Sequence, residues 1–484
     1  MGYVSDEFLR GIEEFSKRLI ENDNFLVVSH HDADGITACA IIVDALRHHG
    51  KKVEFQIMKQ LDSTTIGTVN GHDHELQGNS GHQNSSNFAC TIVFTDMGSG
   101  QLDLLEKTLD NFYIIDHHPP LKEHERQINP HFFGYDGGCE VSGAGMAYFV
   151  AKALGRTNMA DIAVVGAVGD MQDSTGALKG VNRQILEDAQ MQGTILVEND
   201  IRMFGRQSRT LTQMLAYNSD PFLPGLTGDE IACAHFVRDL CIELEAGGPQ
   251  RSYVSLSGDE KQKLVSAIYT LLVDSKTPDF IIHGMFGEVY TLLREQEGTE
   301  LRDAKEFATM MNACGRQDMS ALGVHVCLGD RGVELEKARK VLKKHRDMLR
   351  SGINYLKTIK VNKAENFCWF DATSEISENI VGIIAGMAYS ARIAPTGMPI
   401  IALADDKDDE AMKKVSARAN WGLVRSGIHL GNAMRDCSTK VGGEGGGHNI
   451  AAGARIPKDK KDEFLKCLDK MFGEQKRELH TLRT

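Results

Sequence analysis

Over roughly the first 190 residues, short apolar runs end in polar clusters, and stretches of helical periodicity follow them. Phe25–Ser29 is one such run; it closes on His30, His31, Asp32 and Asp34, with Gly35 next and a helix pattern from Ile36 to His49. Lys52–Met58 reads as the second strand, Thr91–Thr95 as a third ending at Asp96, and Phe112–Ile115 as a fourth ending at Asp116. Strand, polar tip and helix in repetition predict an α/β fold with a parallel sheet and crossover helices. Ligands of such sheets bind beyond the carboxyl ends of the strands, which is where these polar tips fall.

The pattern then changes. Val69–Asn87 is rich in Gly, Ser, Asn and His and reads as a surface loop, although His72, His74 and His82 are of metal-binding type. Residues of about 195 to 325 read as mainly helical, with a Pro/Gly-rich turn at Pro221–Gly228. Glu334–Leu356 is an amphipathic helix: Ala338, Leu342, His345, Leu349, Ile353 and Leu356 recur every three or four residues. Its other face carries Lys337, Arg339, Lys340, Lys343, Lys344 and Arg346, which suits either a solvated surface or phosphate contacts. Further on, Asn366–Asp371 and Met398–Ala404 read as strands, Ile376–Arg392 as a helix capped by Ser374 or Ser377, and Val415–Ala419 as another strand. A glycine-rich stretch, Gly442–Gly453, comes last.

Composition narrows the class. A chain of 484 residues with 42% apolar and 25% charged residues holds two to four globular domains. No apolar run reaches membrane-spanning length, and the N-terminus lacks the basic-then-apolar signature of a signal peptide, so a soluble, cytoplasmic protein with no membrane partner is expected. The ten cysteines are scattered singly without C-x-x-C spacing, which predicts reduced, mostly buried thiols rather than a zinc site. The net charge of −13 counts mildly against a nucleic-acid partner without excluding one, because divalent cations bring positive charge to a carboxylate-rich site.

The candidate chemistry sits at the tips: His30, Asp32 and Asp34; Asp96; Asp116, His117 and His118; and Asp170 in Gly166-Ala167-Val168-Gly169-Asp170. Taken singly, each suits a turn or a helix cap. Together they suit a pair of divalent cations, which needs several hard oxygen ligands, a few imidazoles and a shared carboxylate. Four strand tips on one sheet edge would supply that set.

These motifs resemble a known family. His30-His31-Asp32-Ala33-Asp34-Gly35, Thr95-Asp96, Asp116-His117-His118 and Gly169-Asp170 look like the four motifs of the DHH phosphoesterase superfamily. Gly446-Gly447-His448-Asn449-Ile450-Ala451-Ala452-Gly453 resembles the signature of its DHHA1 partner domain. Asn312-Ala313-Cys314-Gly315-Arg316 is similar to a stretch of RecJ single-strand nucleases, and its surroundings resemble the archaeal RecJ-like branch, which includes nucleases associated with the GINS replication complex. The resemblance implies a parallel-sheet DHH domain over 1–195, a mainly helical insertion over 196–325, a connecting helix over 326–360 and a smaller α/β DHHA1 domain over 361–484. It implies that His30, Asp32 and Asp96 hold one cation, and that Asp34, Asp96, His117 and Asp170 hold the other, with Asp96 bridging. His118 would face the scissile phosphate, with Asp116 in support, while Arg316, Arg418, Gly446, Gly447 and His448 grip substrate phosphates. Mn²⁺ is the expected metal, with Mg²⁺ as the alternative. Bacterial RecJ proteins carry an additional nucleic-acid-binding barrel, for which no room is expected here.

The function expected is a metal-dependent exonuclease on single-stranded DNA or RNA, acting in replication or repair, with single strands and the GINS complex as partners. Two alternatives stand beside it: a phosphodiesterase for short oligonucleotides or cyclic dinucleotides, and a replisome scaffold that binds GINS. The long middle segment favours the longer substrate, and the complete ligand set disfavours a purely structural role. A DHH pyrophosphatase is disfavoured because its C-terminal domain lacks the glycine-rich segment.

Overall fold

The computed structural model describes residues 2–69, 90–218, 221–245, 248, 250–407 and 409–483. His72, His74 and His82 of the expected surface loop lie outside them. The chain divides into two compact units, Met1–Asn218 with Leu223–Leu342, and Ser219–Phe222 with Lys343–Thr484.

In the first unit, helix α1 (Asp6–Ile20) precedes β1 (Asn24–His30), α2 (Ala33–His48), β2 (Lys52–Met58), β3 (Thr91–Thr95), α3 (Leu102–Thr108), β4 (Phe112–Ile115) and β5 (Gln127–Ile128). The five strands form a wholly parallel sheet in the order β2-β1-β3-β4-β5. Alternate residues of each strand enter different cores, as the pleat requires. Val27 and Val93 pack with α1 and α2 and with α4 (Gly143–Ala153), α5 (Ala160–Gly169) and α6 (Val181–Met191). Val28, Ile92, Phe94 and Ile114 pack with Leu102 and Leu105 of α3 in a smaller cluster. A sheet covered on both faces explains why β1, β3 and β4 are continuous apolar runs, while β2, at the sheet edge, alternates.

Strand β6 (Ile195–Ile201) pairs antiparallel with β7 (Phe286–Leu292), so this pair lies inside the span expected to be mainly helical. Ile201 stands opposite Phe286, which brings together the two ends of the intervening segment. That segment holds α7 (Leu211–Ala216), α8 (Glu230–Asp239), α9 (Gly258–Asp274) and α10 (Asp279–Gly284) around a core of its own. Two helices, α11 (Ala304–Arg316) and α12 (Ser320–Cys327), then return to the main core. Helix α13 (Val333–Thr358) gives Leu335, Ala338 and Leu342 to that core and Leu356 to a core of the second unit. On its charged face Lys337 pairs with Glu334, and Arg339 with Glu300 and Glu336, as on a solvated surface.

The second unit is built on a mixed six-stranded sheet in the order β12 (Glu444–Gly447), β13 (Ala451–Pro457), β11 (Met412–Arg418), β10 (Ile400–Asp405), β9 (Cys368–Asp371) and β8 (Asn362–Lys363). Its helices are α14 (Glu378–Ser390), α15 (Trp421–Arg425), α16 (Leu430–Lys440) and α17 (Lys461–Arg483). Ser377, one of the two expected caps, caps α14 through Asn379 N–H. The glycine run is half of an antiparallel hairpin, Gly446 opposite Gly453 and Gly447 opposite Ala452. The expectation of uniformly reduced thiols is corrected here: Cys437 of α16 and Cys467 of α17 form a disulfide with Cα atoms 5.7 Å apart. Among the described residues, no helix is long and apolar enough to cross a membrane.

Candidate metal centre

Four chain segments converge beyond the carboxyl ends of β1, β3 and β4. His30 ends β1; Asp32 caps α2 by accepting Gly35 N–H at 3.0 Å, and Asp34 lies in the first turn of that helix. A Cβ on Gly35 would lie 2.3 Å from the His30 carbonyl oxygen, so this tight strand-to-helix turn needs glycine. Asp96 follows β3 with φ +58°, a left-handed conformation that Asp tolerates better than a branched residue. Asp116, His117 and His118 follow β4. The fourth contribution departs from expectation. Asp170 is no strand tip but the C-cap of α5, a buried helix whose short apolar run mimics a strand.

The donor atoms form overlapping groups, His30 with Asp32 and Asp96, Asp34 with His117 and Asp170, and Asp96 with Asp116, His117 and His118; in each group they lie within 4.8 Å of one another. His30 Nδ1 is 3.0 Å from Asp32 Oδ2 and 3.7 Å from Asp96 Oδ2. His117 Nε2 is 3.1 Å from Asp96 Oδ1 and 3.6 Å from Asp34 Oδ2. His117 Nδ1 lies 2.7 Å from the Gly137 carbonyl oxygen, which can only accept, so Nδ1 carries a proton, and the ring in its neutral form would present a lone pair at Nε2. Asp96 is 3% exposed, and its buried Oδ1 has no hydrogen-bond partner among the described residues. A buried carboxylate oxygen so placed, facing an imidazole nitrogen and a second carboxylate, fits a divalent cation with mixed oxygen and nitrogen ligands.

Electrostatics agree with that fit. Burial, and next the charge of Asp96, push Asp34 well above the usual carboxylate range. Burial also raises Asp170 to about 6, with Asp96 adding to the rise against the pull of His117. Burial alone would lower His117, but the carboxylates of Asp96, Asp34 and Asp170 outweigh it and hold the ring well above its ordinary value. His30 is raised in the same way, by Asp32 and Asp96 against burial. Negative charge therefore exceeds what the side chains neutralise by themselves, and a bound cation would reverse these shifts.

Asp116 is occupied differently. Its Oδ1 accepts from the His117 and His118 backbone N–H groups and from His118 Nδ1, at 2.8, 3.2 and 2.8 Å, and its Oδ2 accepts from Ser99 N–H at 3.0 Å. Burial would raise Asp116, yet the His118 bond and charge hold it well below the usual range. His118 in turn rises to about 9, because Asp116 outweighs the lowering effect of burial. Its side chain is 48% exposed, and Nε2 is left for a ligand.

Several supporting groups were not legible in the sequence. Asp34 accepts from Gly143 N–H at 2.6 Å and Ala144 N–H at 2.9 Å, at the Ser142-capped N-terminus of α4, where the helix dipole favours a carboxylate. A Cβ on Gly143 would lie 2.7 Å from Asp96 Oδ1. Gln172 donates to the Gly137 carbonyl and to Asp170 Oδ2, both at 2.9 Å, and accepts from Asn182 at 2.6 Å, tying together the orienters of His117 and Asp170. Asn312 Oδ1 accepts the Ala33 N–H at 3.0 Å. Nothing in spacing marks Gln172 or Asn182; Asn312 belonged to a stretch of which only Arg316 had a role assigned.

Arg316 ends α11 in the first unit; burial lowers its pKa, and the charge of Asp32 opposes that. In the second unit Arg418 ends β11 opposite Ala451, whose carbonyl accepts the His448 N–H at 2.8 Å, and Gly447 pairs with Ala452. Arg418, Gly446, Gly447 and His448 thus share one end of that sheet, and His448 is exposed.

Residues 24–168 match the DHH family, N-terminal domain, residues 203–285 the DHH-CID domain, and residues 366–474 the DHHA1 domain. The DHH-CID match falls between β6 and β7. Over 482 residues the chain is 30% identical to an uncharacterized protein of Methanocaldococcus jannaschii, with 97% of this chain and 99% of that one covered. Among solved structures it is similar to CDC45 from Entamoeba histolytica, with TM-score 0.61, 15% identity, and 97% and 98% of the two chains covered. It is also similar to RecJ in complex with Mn²⁺ from Thermus thermophilus, with TM-score 0.55, 15% identity, and 96% of this chain and 55% of that chain covered. At such identities these two likenesses speak to the fold.

Proposed function

Because the chain belongs to the RecJ-like DHH/DHHA1 family, we propose that it is a two-metal phosphodiesterase that degrades single-stranded nucleic acid from an end. The observation that carries the reading is the buried Oδ1 of Asp96, without a hydrogen-bond partner among the described residues and set among His117, Asp34 and the wider ligand set. His30, Asp32 and Asp96 would hold one cation, and Asp34, Asp96, His117 and Asp170 the other. Divalent cations, when bound, polarise the phosphodiester and make water a better nucleophile. Mn²⁺ is the metal proposed, with Mg²⁺ the alternative.

The chain's own residues do the rest. Asp96, with one carboxylate oxygen 3.7 Å from His30 and the other 3.1 Å from His117, would be the ligand common to both groups. Gly137 and Gln172 hold His117 in the tautomer that offers Nε2. Asp116 orients His118 and keeps its ring protonated near neutral pH, so His118 Nε2–H donates to a phosphate oxygen and stabilises charge developing there. Arg316 grips a neighbouring phosphate beside the first metal group, where its guanidinium fork suits phosphate oxygens. Arg418, Gly446, Gly447 and His448, which share one end of the second unit's sheet, would hold phosphates.

The setting proposed is replication or repair, with GINS as a protein partner; failure to bind the purified GINS complex of the same organism would remove that part alone. The enzyme reading is tested with end-labelled single strands and Mn²⁺. Wild-type protein is expected to shorten them and the Asp96→Ala variant to leave them intact. Full activity in that variant would sink the proposal.

A further inference from the structure

We propose that Asn312 is the positioning residue for the loop that carries one ligand of each cation, an inference that rests on the two-metal reading above. The first N–H groups of a helix have no partner within it. At the start of α2, Asp32 Oδ1 accepts from Gly35, three residues on. The Ala33 N–H is taken instead by Asn312 Oδ1 at 3.0 Å, from a residue 279 positions away in the chain. Only the amide oxygen can accept from an N–H, so the bond also fixes which way the Asn312 amide faces.

Ala33 stands at a fork. Asp32, before it, faces His30, and Asp34, after it, faces His117 and the N-terminus of α4. Any shift of the Ala33 backbone moves both carboxylates, in different directions and into different metal groups. The residue is fully buried, and the surrounding helices leave it little slack. A Cβ on Gly169 of α5 would lie 2.6 Å from Ala33 Cβ, and one on Gly315 of α11 would lie 1.8 Å from the His31 carbonyl oxygen. The second distance shows the last turn of α11 pressed directly on the metal-bearing loop.

Helix α11 is itself held at its far end. Asp303 caps it through the Lys305 and Glu306 N–H groups. Glu306, fully buried, accepts from Gln207 N–H at 3.0 Å and from Ser208 Oγ. A helix anchored at both ends acts as a fixed stop for the loop. Outer groups that orient metal ligands commonly change metal affinity by about 10–100-fold when removed.

The test is calorimetric titration of Mn²⁺ into wild type, Asn312→Ala and Asn312→Asp, with kcat and KM measured on a single strand. Asp has nearly the shape of Asn and keeps an acceptor at the same position. Expected are binding to wild type, at least about tenfold weaker binding to Asn312→Ala with kcat reduced more than KM is raised, and recovery to within about threefold in Asn312→Asp. If Asn312→Ala does not fold, Asn312→Ser, whose acceptor is too short to reach Ala33 N–H, takes its place. Wild-type Mn²⁺ affinity in the acceptor-less variant would overturn the inference. So would an Asn312→Asp variant as weak as Asn312→Ala, or an effect confined to KM, which would make Asn312 a substrate contact. A wild-type protein that binds no Mn²⁺ would instead remove the two-metal reading itself.

Discussion

Replacing Asp96 by Asn separates what the site does for chemistry from what it does for the fold. Asn tolerates the left-handed backbone at this position and preserves the side-chain volume, so the substitution changes mainly charge and ligand strength. In the metal-free protein, burial and then the Asp96 charge raise Asp34, and the same charge adds to the rise of Asp170. Removing that charge relieves repulsion inside a buried cluster. His30 keeps Asp32 at 3.0 Å, and His117 keeps Asp34 at 3.6 Å and Asp170 at 4.0 Å, so neither ring is left without a carboxylate. The metal-free variant is therefore expected to melt at or slightly above the wild-type temperature.

The response to Mn²⁺ should go the other way. A cation at about 100 times its dissociation constant stabilises a site by about 2.7 kcal/mol. The first unit has some 340 residues, hence an unfolding entropy of about 0.7 kcal/mol/K and a rise of about 4 °C per site. Wild type should show this rise in differential scanning calorimetry and Asp96→Asn should not. Hydrolysis should fall by at least about 10³-fold, equivalent to about 4 kcal/mol of barrier. A metal-induced rise in Asp96→Asn equal to the wild-type rise, or hydrolysis within about tenfold of wild type, would refute the reasoning.

Other outcomes follow from the same geometry. His118 is raised from 6.5 to about 9, so the His118–Asp116 pair stabilises the metal-free fold fully below the unfolded value and loses that contribution as pH rises through about 9. The gap in urea midpoint between wild type and His118→Ala should therefore narrow from about pH 6 to about pH 10. A Cβ on Gly166 would lie 2.4 Å from both Ala144 Cβ and Thr37 Oγ1, so Gly166→Ala should cost about 1–3 kcal/mol in urea unfolding and weaken Mn²⁺ binding, while Gly67→Ala, whose Cβ would meet nothing within 4 Å among the described residues, should do neither. The Cys437–Cys467 bond closes a loop of sequence separation 30, so reduction, or Cys437→Ser, should destabilise the second unit by about 3–4 kcal/mol, read as a lower melting transition.

The sheet of the first unit was legible because β1, β3 and β4 are apolar runs that stop at His or Asp and β2 alternates beside them; β2, β3 and β4 have the bounds their patterns predict. The ligand candidates were legible for the same reason, since polar groups at strand ends stand out against apolar neighbours. Asp170 was placed on the wrong kind of element because Ala160–Gly169 is a helix buried on every side, and a fully buried helix has no polar face to show its period. The roles of Gln172 and Asn312 are not legible because they depend on hydrogen bonds to groups brought close only by the fold, Gly137 and Asn182 for Gln172 and Ala33 for Asn312, and no local pattern records those. The disulfide was missed because Cys437 and Cys467 lie on separate helices, each without a neighbouring cysteine in sequence.

The central claim is that two cations sit around Asp96. Anomalous diffraction at the manganese edge from crystals grown with Mn²⁺ tests it most directly. Two peaks are expected in the first unit, one among His30, Asp32 and Asp96 and one among Asp34, His117 and Asp170, with Asp96 touching both. A single peak, or none at these residues in crystals that bind Mn²⁺ elsewhere, would contradict it.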